Sequence, residues 1–146
     1  MRSRKELEDR LRRKGIPPAA AATVLDRLTE VGLVDDRAYA AAFVASRQRT
    51  KPRGTRALAM ELRQKGIADA IVQEVLADVA DAEDPVDAAT RAVAPKLRSL
   101  RGKPRDEVRR KAEQFLLRRG FGYDVARSVL DAAFPETPDE DSGRLD

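Results

Sequence analysis

The sequence predicts an all-α protein: tandem three-helix repeats, about eight helices in all, in an elongated, curved array with no sheet. The first observation behind this prediction is composition. The chain has 146 residues, 37% of them charged, and is rich in Ala, Leu and Arg, a mixture that favours helix. The second is that no alternating apolar run is bounded by turn residues, as a strand would be. The third is a motif, Leu-x-x-basic-Gly-apolar, that occurs three times at a period near 50 residues, which indicates one repeated unit.

The repeated motif is centred on Gly15, Gly66 and Gly120, which lie 51 and 54 residues apart. A basic residue precedes each glycine and suits the negative end of a helix dipole, and glycine can adopt the left-handed conformation that closes a helix. Apolar residues then recur at helical spacing and predict one face of a second helix. The aligned columns are Ala20, Ile71 and Val125; Val24, Val75 and Val129; Leu25, Leu76 and Leu130; and Leu28, Val79 and Ala133.

The first repeat, residues 4–32, has only two predicted helices. The first helix covers residues 4–14 and stops at the glycine turn. Pro17 and Pro18 open the second helix, where a missing amide does no harm. The residues of this helix that we expect to point inward are Val24, Leu25 and Leu28.

The second repeat, residues 33–81, has three predicted helices. Asp35 or Asp36 can cap the first of them, which runs to about Arg49. Two adjacent aspartates could also bind a cation, but no further acidic cluster is nearby, and capping is the interpretation we adopt. Tyr39 is expected in the core. The other two helices are predicted over residues 55–65 and 69–80.

The third repeat, residues 85–134, follows an acidic junction at residues 80–85. Its first helix begins near Val86, and Pro95 interrupts the apolar face of that helix and is a candidate kink. The remaining helices are predicted over residues 105–119 and 124–134. Residues 135–146 are polar and acidic, and we expect this tail to be disordered.

The charge of the chain is uneven. The net charge is +4, but residues 135–146 hold five acids and one base, so the body before them carries +8. A basic body suggests a polyanionic partner or an acidic protein surface, although charge for solubility alone is the simpler alternative.

Two Pro/Gly loops, residues 47–56 and 101–105, concentrate the basic charge, and we expect the side chains of the first loop to project into solvent at a corner between helices. No aromatic residue is interleaved with the bases, which lowers the case for a single-strand-specific site. The residues predicted to contact a partner or DNA are Arg47, Arg49, Lys51, Arg53, Arg56, Arg101, Lys103, Arg105, Arg109 and Arg110.

Several classes of function are disfavoured. The chain has no His and no Cys, which removes the usual general base, the thiol nucleophile and most zinc sites. It has no glycine-rich phosphate-binding loop, and the Gly102-Lys103 pair lacks the upstream glycine. We therefore predict no catalytic, cofactor or metal site. No apolar run approaches the roughly 20 residues of a membrane span, and the N-terminus has no signal-peptide core, so we expect a cytoplasmic protein.

The Lys-Gly-Ile turns, the Arg119-Gly120-Phe121 turn and the segment from Gly32 to Ala40 (Gly-Leu-Val-Asp-Asp-Arg-Ala-Tyr-Ala) together resemble the RecX family, regulators of the RecA recombinase. The resemblance covers roughly residues 5–134. It implies tandem three-helix repeats that bind the RecA–DNA filament and suppress ATP hydrolysis, strand exchange and coprotease activity in DNA repair and recombination. Some family members also contact DNA, and single- or double-stranded DNA is a further candidate partner of this chain. The resemblance carries no catalytic residue.

The chain departs from the family in its short start, with no helix before residue 4, and in its acidic tail. We expect a monomer in isolation.

Two other functions stay open at the level of the sequence. The first is a sequence-nonspecific DNA-binding protein that acts without RecA through helix–Gly–helix units. Against it, the second helix of each pair, residues 69–80 or 124–134, is acidic or mixed rather than basic. The other is a helical-repeat scaffold for a different protein.

Overall fold

The computed structural model describes residues 1–135, which form eight α-helices and no strand. The all-α prediction is therefore confirmed for these residues. The acidic tail falls outside them from residue 136 onward. The helices are α1 (Arg4–Arg13), α2 (Pro18–Glu30), α3 (Asp36–Thr50), α4 (Thr55–Gln64), α5 (Asp69–Ala82), α6 (Pro85–Ser99), α7 (Arg105–Arg118) and α8 (Tyr123–Ala133).

The three glycine turns have one common geometry. Gly15, Gly66 and Gly120 have φ of 82°, 79° and 87°, the left-handed region where a side chain would be strained. In each turn the apolar residue after the glycine donates its N–H back to the leucine carbonyl of the last helical turn, at 3.1 Å. This is the hydrogen bond of a Schellman cap. The turns therefore end α1, α4 and α7 as the sequence predicts.

The helices pack in consecutive groups. Helix α1 packs on α2, both α3 and α4 pack on α5, and α6, α7 and α8 pack on one another. Each three-helix group has its own buried core, which includes Leu58, Leu62 and Val72 in one and Leu116 and Leu130 in the other. Burying such side chains contributes about 1.5–3 kcal/mol each, so the groups hold together mainly through these contacts.

A hydrogen-bonded joint connects α1 to the second group. The buried Ser3 hydroxyl caps α1 and donates to the carbonyl of Lys65 at 2.8 Å, at the end of α4. The N–H of Arg4 donates to Asp36 Oδ1 at 2.8 Å, at the start of α3. The side chain of Lys5 lies where a Cβ on Gly66 would be. The N-terminus of one helix therefore covers the glycine turn of the next unit.

Other predictions of local structure have mixed outcomes. Asp35 caps α3 by accepting from the N–H of Ala38 at 3.1 Å, and Tyr39 is buried, as predicted. Helix α6 continues through Pro95 to Ser99. No helix in residues 1–135 is both long and apolar enough to span a membrane.

The prediction that Val24 points inward is wrong. Val24 is 48% exposed, whereas its equivalents Val75 and Val129 are 2% and 3% exposed. In the complete groups these valines lie in cores that include residues of α3 and α6, respectively. Residues 1–135 contain no third helix that covers the α1–α2 pair, so the valine at this aligned position, Val24, stays exposed to solvent.

Candidate partner-binding surface

The loop between α3 and α4 is a second joint rather than a free corner. Gly54 is buried, and its N–H donates to the carbonyl of Arg119 at 2.8 Å. The N–H of Arg56 donates to the carbonyl of Gly120 at 3.3 Å. A Cβ added at Gly54 would lie 2.2 Å from the Gly120 oxygen, so the backbones can approach this closely only because residue 54 is glycine. The α4 N-terminus thus covers the Gly120 turn as the α1 N-terminus covers the Gly66 turn.

Two of the predicted contact residues are held inside this joint. Glu61 accepts from Arg47 Nε at 3.0 Å, and its other oxygen pairs with Arg53. The backbone N–H of Arg53 donates to the side chain of Gln48 at 2.9 Å, while Arg91 of α6 donates to the Gln48 carbonyl at 3.1 Å. The loop is therefore tied to α4 and α6 by charged and amide groups that the sequence pattern did not connect.

The environment of Arg53 differs from the one predicted. Its side chain is only 30% exposed, and its Nε is buried with no acceptor in residues 1–135. Burial lowers the pKa of Arg53, and the nearby guanidinium groups of Arg47 and Arg119 lower it further. The expectation that the loop side chains project into solvent is thus wrong for Arg53, because Glu61 is close enough to draw it back onto α4.

Three residues of the same stretch do face solvent: Arg49, Lys51 and Arg56. Each is exposed, and within the described part of the chain none has a carboxylate within 4.0 Å. Their charges are therefore not neutralised by local ion pairs, and they are the members of this loop best able to meet an external anion.

The predicted contact residues of the third group also differ in whether a carboxylate neutralises them. Arg101 and Arg110 are exposed and have no carboxylate within 4.0 Å among residues 1–135. Lys103 lies 4.0 Å from Glu107, which pairs more closely with Lys111 at 2.8 Å. The pKa of Lys103 is lowered by the adjacent Lys111. Lys103 is thus a loosely paired cation at the surface.

Arg105 and Arg109 hold the end of α8. Arg105 donates to the Pro135 carbonyl at 2.6 Å, and its guanidinium lies 5.7 Å from the ring centre of Phe134. Arg109 donates to the Leu130 carbonyl at 3.2 Å and to Asp131 at 2.6 Å. Both arginines therefore have an intramolecular role that their basic sequence context did not reveal.

Sequence reasoning missed the cations contributed by the glycine turns. Arg119 belongs to the turn that meets the second joint, near enough to Arg53 to affect its pKa, and its guanidinium lies 4.8 Å from the ring centre of Phe115. Arg118 beside it is exposed. The available signal was the basic residue before each glycine, but it was interpreted only as a helix stop.

No group of three or more acidic, His or Cys side chains in residues 1–135 is arranged to hold a metal ion. The candidate surface consists of the exposed cations Arg49, Lys51 and Arg56 beside the second joint and Arg101, Lys103 and Arg110 on the third group.

Comparison with known proteins gives matches along most of the chain. The family models for the first, second and third three-helix domains of RecX match residues 1–28, 35–76 and 82–130. This chain belongs to the RecX family. The regulatory protein RecX of Mycolicibacterium smegmatis is 43% identical over 136 residues, covering 88% of this chain and 70% of the relative. RecX of Streptomyces lividans is 40% identical, covering 92% and 71%.

Solved RecX structures share the fold. The crystal structure of RecX from Lactobacillus salivarius superimposes with a TM-score of 0.80 at 26% identity, covering 90% of this chain and 85% of that one. A second crystal structure of regulatory protein RecX gives 0.79 at 26% identity. The chain spans 64% of the length of that second protein.

Proposed function

We propose that this chain is a negative regulator of a RecA-type recombinase. It binds the RecA–DNA filament in the cytoplasm and suppresses ATP hydrolysis, strand exchange and coprotease activity. Its three repeats, residues 4–32, 33–81 and 85–134, act as one extended surface. The membership of the RecX family supports the class of partner.

The observation that carries the proposal is the pair of unneutralised cation clusters. Arg49, Lys51 and Arg56 lie beside the second joint, and Arg101 and Arg110 lie on the third group. The joint fixes the two groups to each other through backbone hydrogen bonds, so a partner that contacts both groups need not first order them. A nucleoprotein filament offers phosphates and acidic side chains in a regular array, which suits several such contacts made together.

Within the predicted set, the structure suggests a division of roles. We assign direct contact to Arg49, Lys51, Arg56, Arg101, Lys103 and Arg110. Arg47, Arg53, Arg105 and Arg109 support the surface indirectly, because each already has an acceptor in the chain.

Charge reversal at Arg49 and Arg56 tests the assignment. The variant R49E/R56E should require at least about tenfold more protein to suppress RecA ATPase on single-stranded DNA, a loss of about 1.4 kcal/mol in binding. The matched control is R27E/R127E, which reverses two exposed arginines of α2 and α8 that also have no carboxylate within 4.0 Å in residues 1–135. Each reversal lowers the net charge by two, so both variants go from +4 to zero.

Four outcomes separate the functions. Loss in R49E/R56E but not in R27E/R127E supports the assigned surface, whereas equal loss in both reduces it to net charge. If the unaltered chain leaves RecA ATPase, strand exchange and coprotease activity unchanged, the proposed function is wrong. If the chain binds naked duplex DNA without RecA and with a steep salt dependence, and R49E/R56E and R27E/R127E weaken that binding equally, the alternative of a sequence-nonspecific DNA-binding protein is favoured.

A further inference from the structure

An open apolar groove, the α5 groove, runs along the C-terminal half of α5. It consists of two neighbouring cavities of about 230 and 180 Å³, and Gln48, Val79 and Glu83 lie in the walls of both. The first cavity lies between α3 and α5, and the second continues to the joint with α6 and α8. Because an enclosed cavity of about 150 Å³ holds a benzene molecule, each part of the α5 groove has room for a large apolar side chain.

Small side chains keep the α5 groove open. Ala41 and Ala45 of α3 and Ala82 of α5 line the first cavity, and all three are exposed. Helix α1 meets this group at the other end of α3, where the N–H of Arg4 donates to Asp36. The groove therefore faces the third repeat rather than the first.

The third group differs from the second at the corresponding end of its helices. Val44 of α3 and Val93 of α6 are both buried in the cores of their groups. Four residues later α3 has Gln48, whereas α6 has Leu97. Leu97 packs against the core of the third group, and so does Phe134 at the end of α8. The third group therefore fills this end with its own apolar side chains, and the second group leaves room for an apolar side chain from outside.

Acidic side chains lie along the α5 side of the groove. Residues 66–90 contain seven acids and no base, although the whole chain has a net charge of +4. Asp78 lines the groove, its side chain is 69% exposed, and Arg37 lies 3.5 Å away. Asp81 and Asp84 are next in sequence to lining residues, and they are exposed with no base within 4.0 Å among residues 1–135.

The bases near the groove are mostly paired. Arg53 lines the second cavity and Arg91 donates to the Gln48 carbonyl, but each already has a carboxylate partner. Arg49, which follows Gln48, is exposed and has no carboxylate within 4.0 Å in the described part of the chain. The unpaired charge around the groove is therefore mainly negative.

We propose that the α5 groove binds a basic amphipathic helix of a partner protein. The apolar side chains of that helix enter the two cavities, and its lysine or arginine side chains lie beside Asp78, Asp81 and Asp84. A helix that docks in a groove presents apolar anchors three, four and seven residues apart, and complementary charge at the rim fixes its register. This site goes beyond the proposed function, in which cations of this chain make the contacts, and it does not depend on that function.

A pair of synthetic peptides tests the class of partner. The probe is a fluorescent peptide of about 15 residues made of leucine and lysine at helical spacing, long enough to form a helix when bound. Its control has glutamate in place of every lysine. Fluorescence anisotropy should show that the chain binds the leucine–lysine peptide at least about tenfold more tightly than the leucine–glutamate peptide.

Filling the groove tests its position without changing the charge of the chain. Ala45→Phe fills the first cavity, whereas Ala42→Phe places the same side chain at an exposed position of α3 that does not line it. A45F should weaken binding of the leucine–lysine peptide by at least about tenfold, as expected when a central anchor loses its pocket, and A42F should leave it unchanged. Ala82→Phe fills the same cavity from α5 and is the second variant should A45F not fold, which circular dichroism checks.

Removing the acidic charge tests the rim. D78N/D81N should weaken binding of the leucine–lysine peptide by about three- to tenfold, because exposed ion pairs contribute little each. The matched control is E30Q/D106N, which removes two exposed carboxylates that have no base within 4.0 Å in residues 1–135, and it should have no effect.

Three results would overturn the proposal. The first is equal binding of the two peptides, or tighter binding of the leucine–glutamate peptide. The second is an equal effect of A45F and A42F, which would place the peptide elsewhere on the chain. The third is a second copy as the occupant: sedimentation equilibrium would then give an average mass above 16.2 kDa that A45F, but not A42F, returns to the monomer value.

Discussion

Replacing Gly54 with alanine should open the joint between the second and third groups. The added Cβ would lie 2.2 Å from the Gly120 oxygen and 2.3 Å from the Phe121 nitrogen, both backbone atoms that cannot turn aside. The two backbones must separate, which weakens the hydrogen bonds from Gly54 to Arg119 and from Arg56 to Gly120.

The magnitude follows from these two effects. Each backbone hydrogen bond contributes about 0.5–1.5 kcal/mol to stability. Forcing extra volume into a packed site costs about 1–3 kcal/mol. Because relaxing the overlap is what lengthens the hydrogen bonds, the two costs overlap, and we expect G54A to lower the free energy of unfolding by about 2–4 kcal/mol.

Gly122→Ala is the matched control in the facing turn. Gly54 precedes α4 and Gly122 precedes α8, both in extended conformations and without a side-chain cap, so the cost of alanine at a helix start is the same in both variants. A Cβ at Gly122 would meet nothing within 4 Å. The difference between the variants therefore measures the overlap alone.

Urea unfolding followed by circular dichroism is the assay. We expect the unfolding midpoint of G54A to fall by about 1–2 M relative to G122A, at a slope of about 2 kcal/mol per M. If the free energy of unfolding of G54A lies within about 0.5 kcal/mol of that of G122A, the usual effect of a surface substitution, the two backbones do not approach as closely as described and the joint is not formed in this way.

Two further predictions concern buried polar groups. Glu61→Gln removes the carboxylate that pairs with Arg47 and Arg53. Urea unfolding should show a free energy of unfolding lower by about 1–3 kcal/mol, because Arg53 is left partly buried without a counter-charge. The control Arg49→Gln, at an exposed position, should change it by less than about 0.5 kcal/mol, and equal effects of the two variants would contradict the role of Glu61. Burial and the neighbouring Glu6 carboxylate raise the pKa of Tyr39 from 10.0 to about 12, so its contribution to stability is fully present below pH 10 and is lost as pH rises through about 12. A Tyr39→Phe variant should lose less stability than the unaltered chain over that interval, and absorbance titration of the Tyr123→Phe variant, which retains only Tyr39, should give the raised pKa directly; an ordinary value near 10 would contradict the packing of Glu6 on α3.

The sequence predicted most of the fold because the fold is specified locally. A basic residue, a glycine and an apolar residue suffice to end α1, α4 and α7, and the apolar columns after each turn identify the inner face of the next helix. The exception, Val24, shows the limit of this reasoning. An aligned apolar position identifies a helix face that can be buried. Whether that face is buried depends on a second helix, which is encoded elsewhere in the chain.

The candidate surface was less predictable for a related reason. Basic residues in a loop predict a positive patch, but their availability depends on carboxylates that are distant in sequence or hidden by the fold. Glu61 on α4 forms an ion pair with Arg53, and Asp131 on α8 forms one with Arg109, so neither arginine is free to meet a partner. Arg49 and Arg56, in the same sequence context as Arg53, have no such partner in residues 1–135. Periodicity cannot separate these cases, because the separation is made by tertiary packing.

The two joints show how neighbouring units are connected. Ser3 lies twelve residues before Gly15, and Gly54 lies twelve before Gly66, so both joints use the same register. Helix α7 begins after Pro104, sixteen residues before Gly120, and is therefore about one turn longer at its start. Proline has no N–H, so it cannot repeat the donation that Gly54 makes to the facing turn. The start of α7 therefore differs from those of α1 and α4 in both length and hydrogen-bonding capacity.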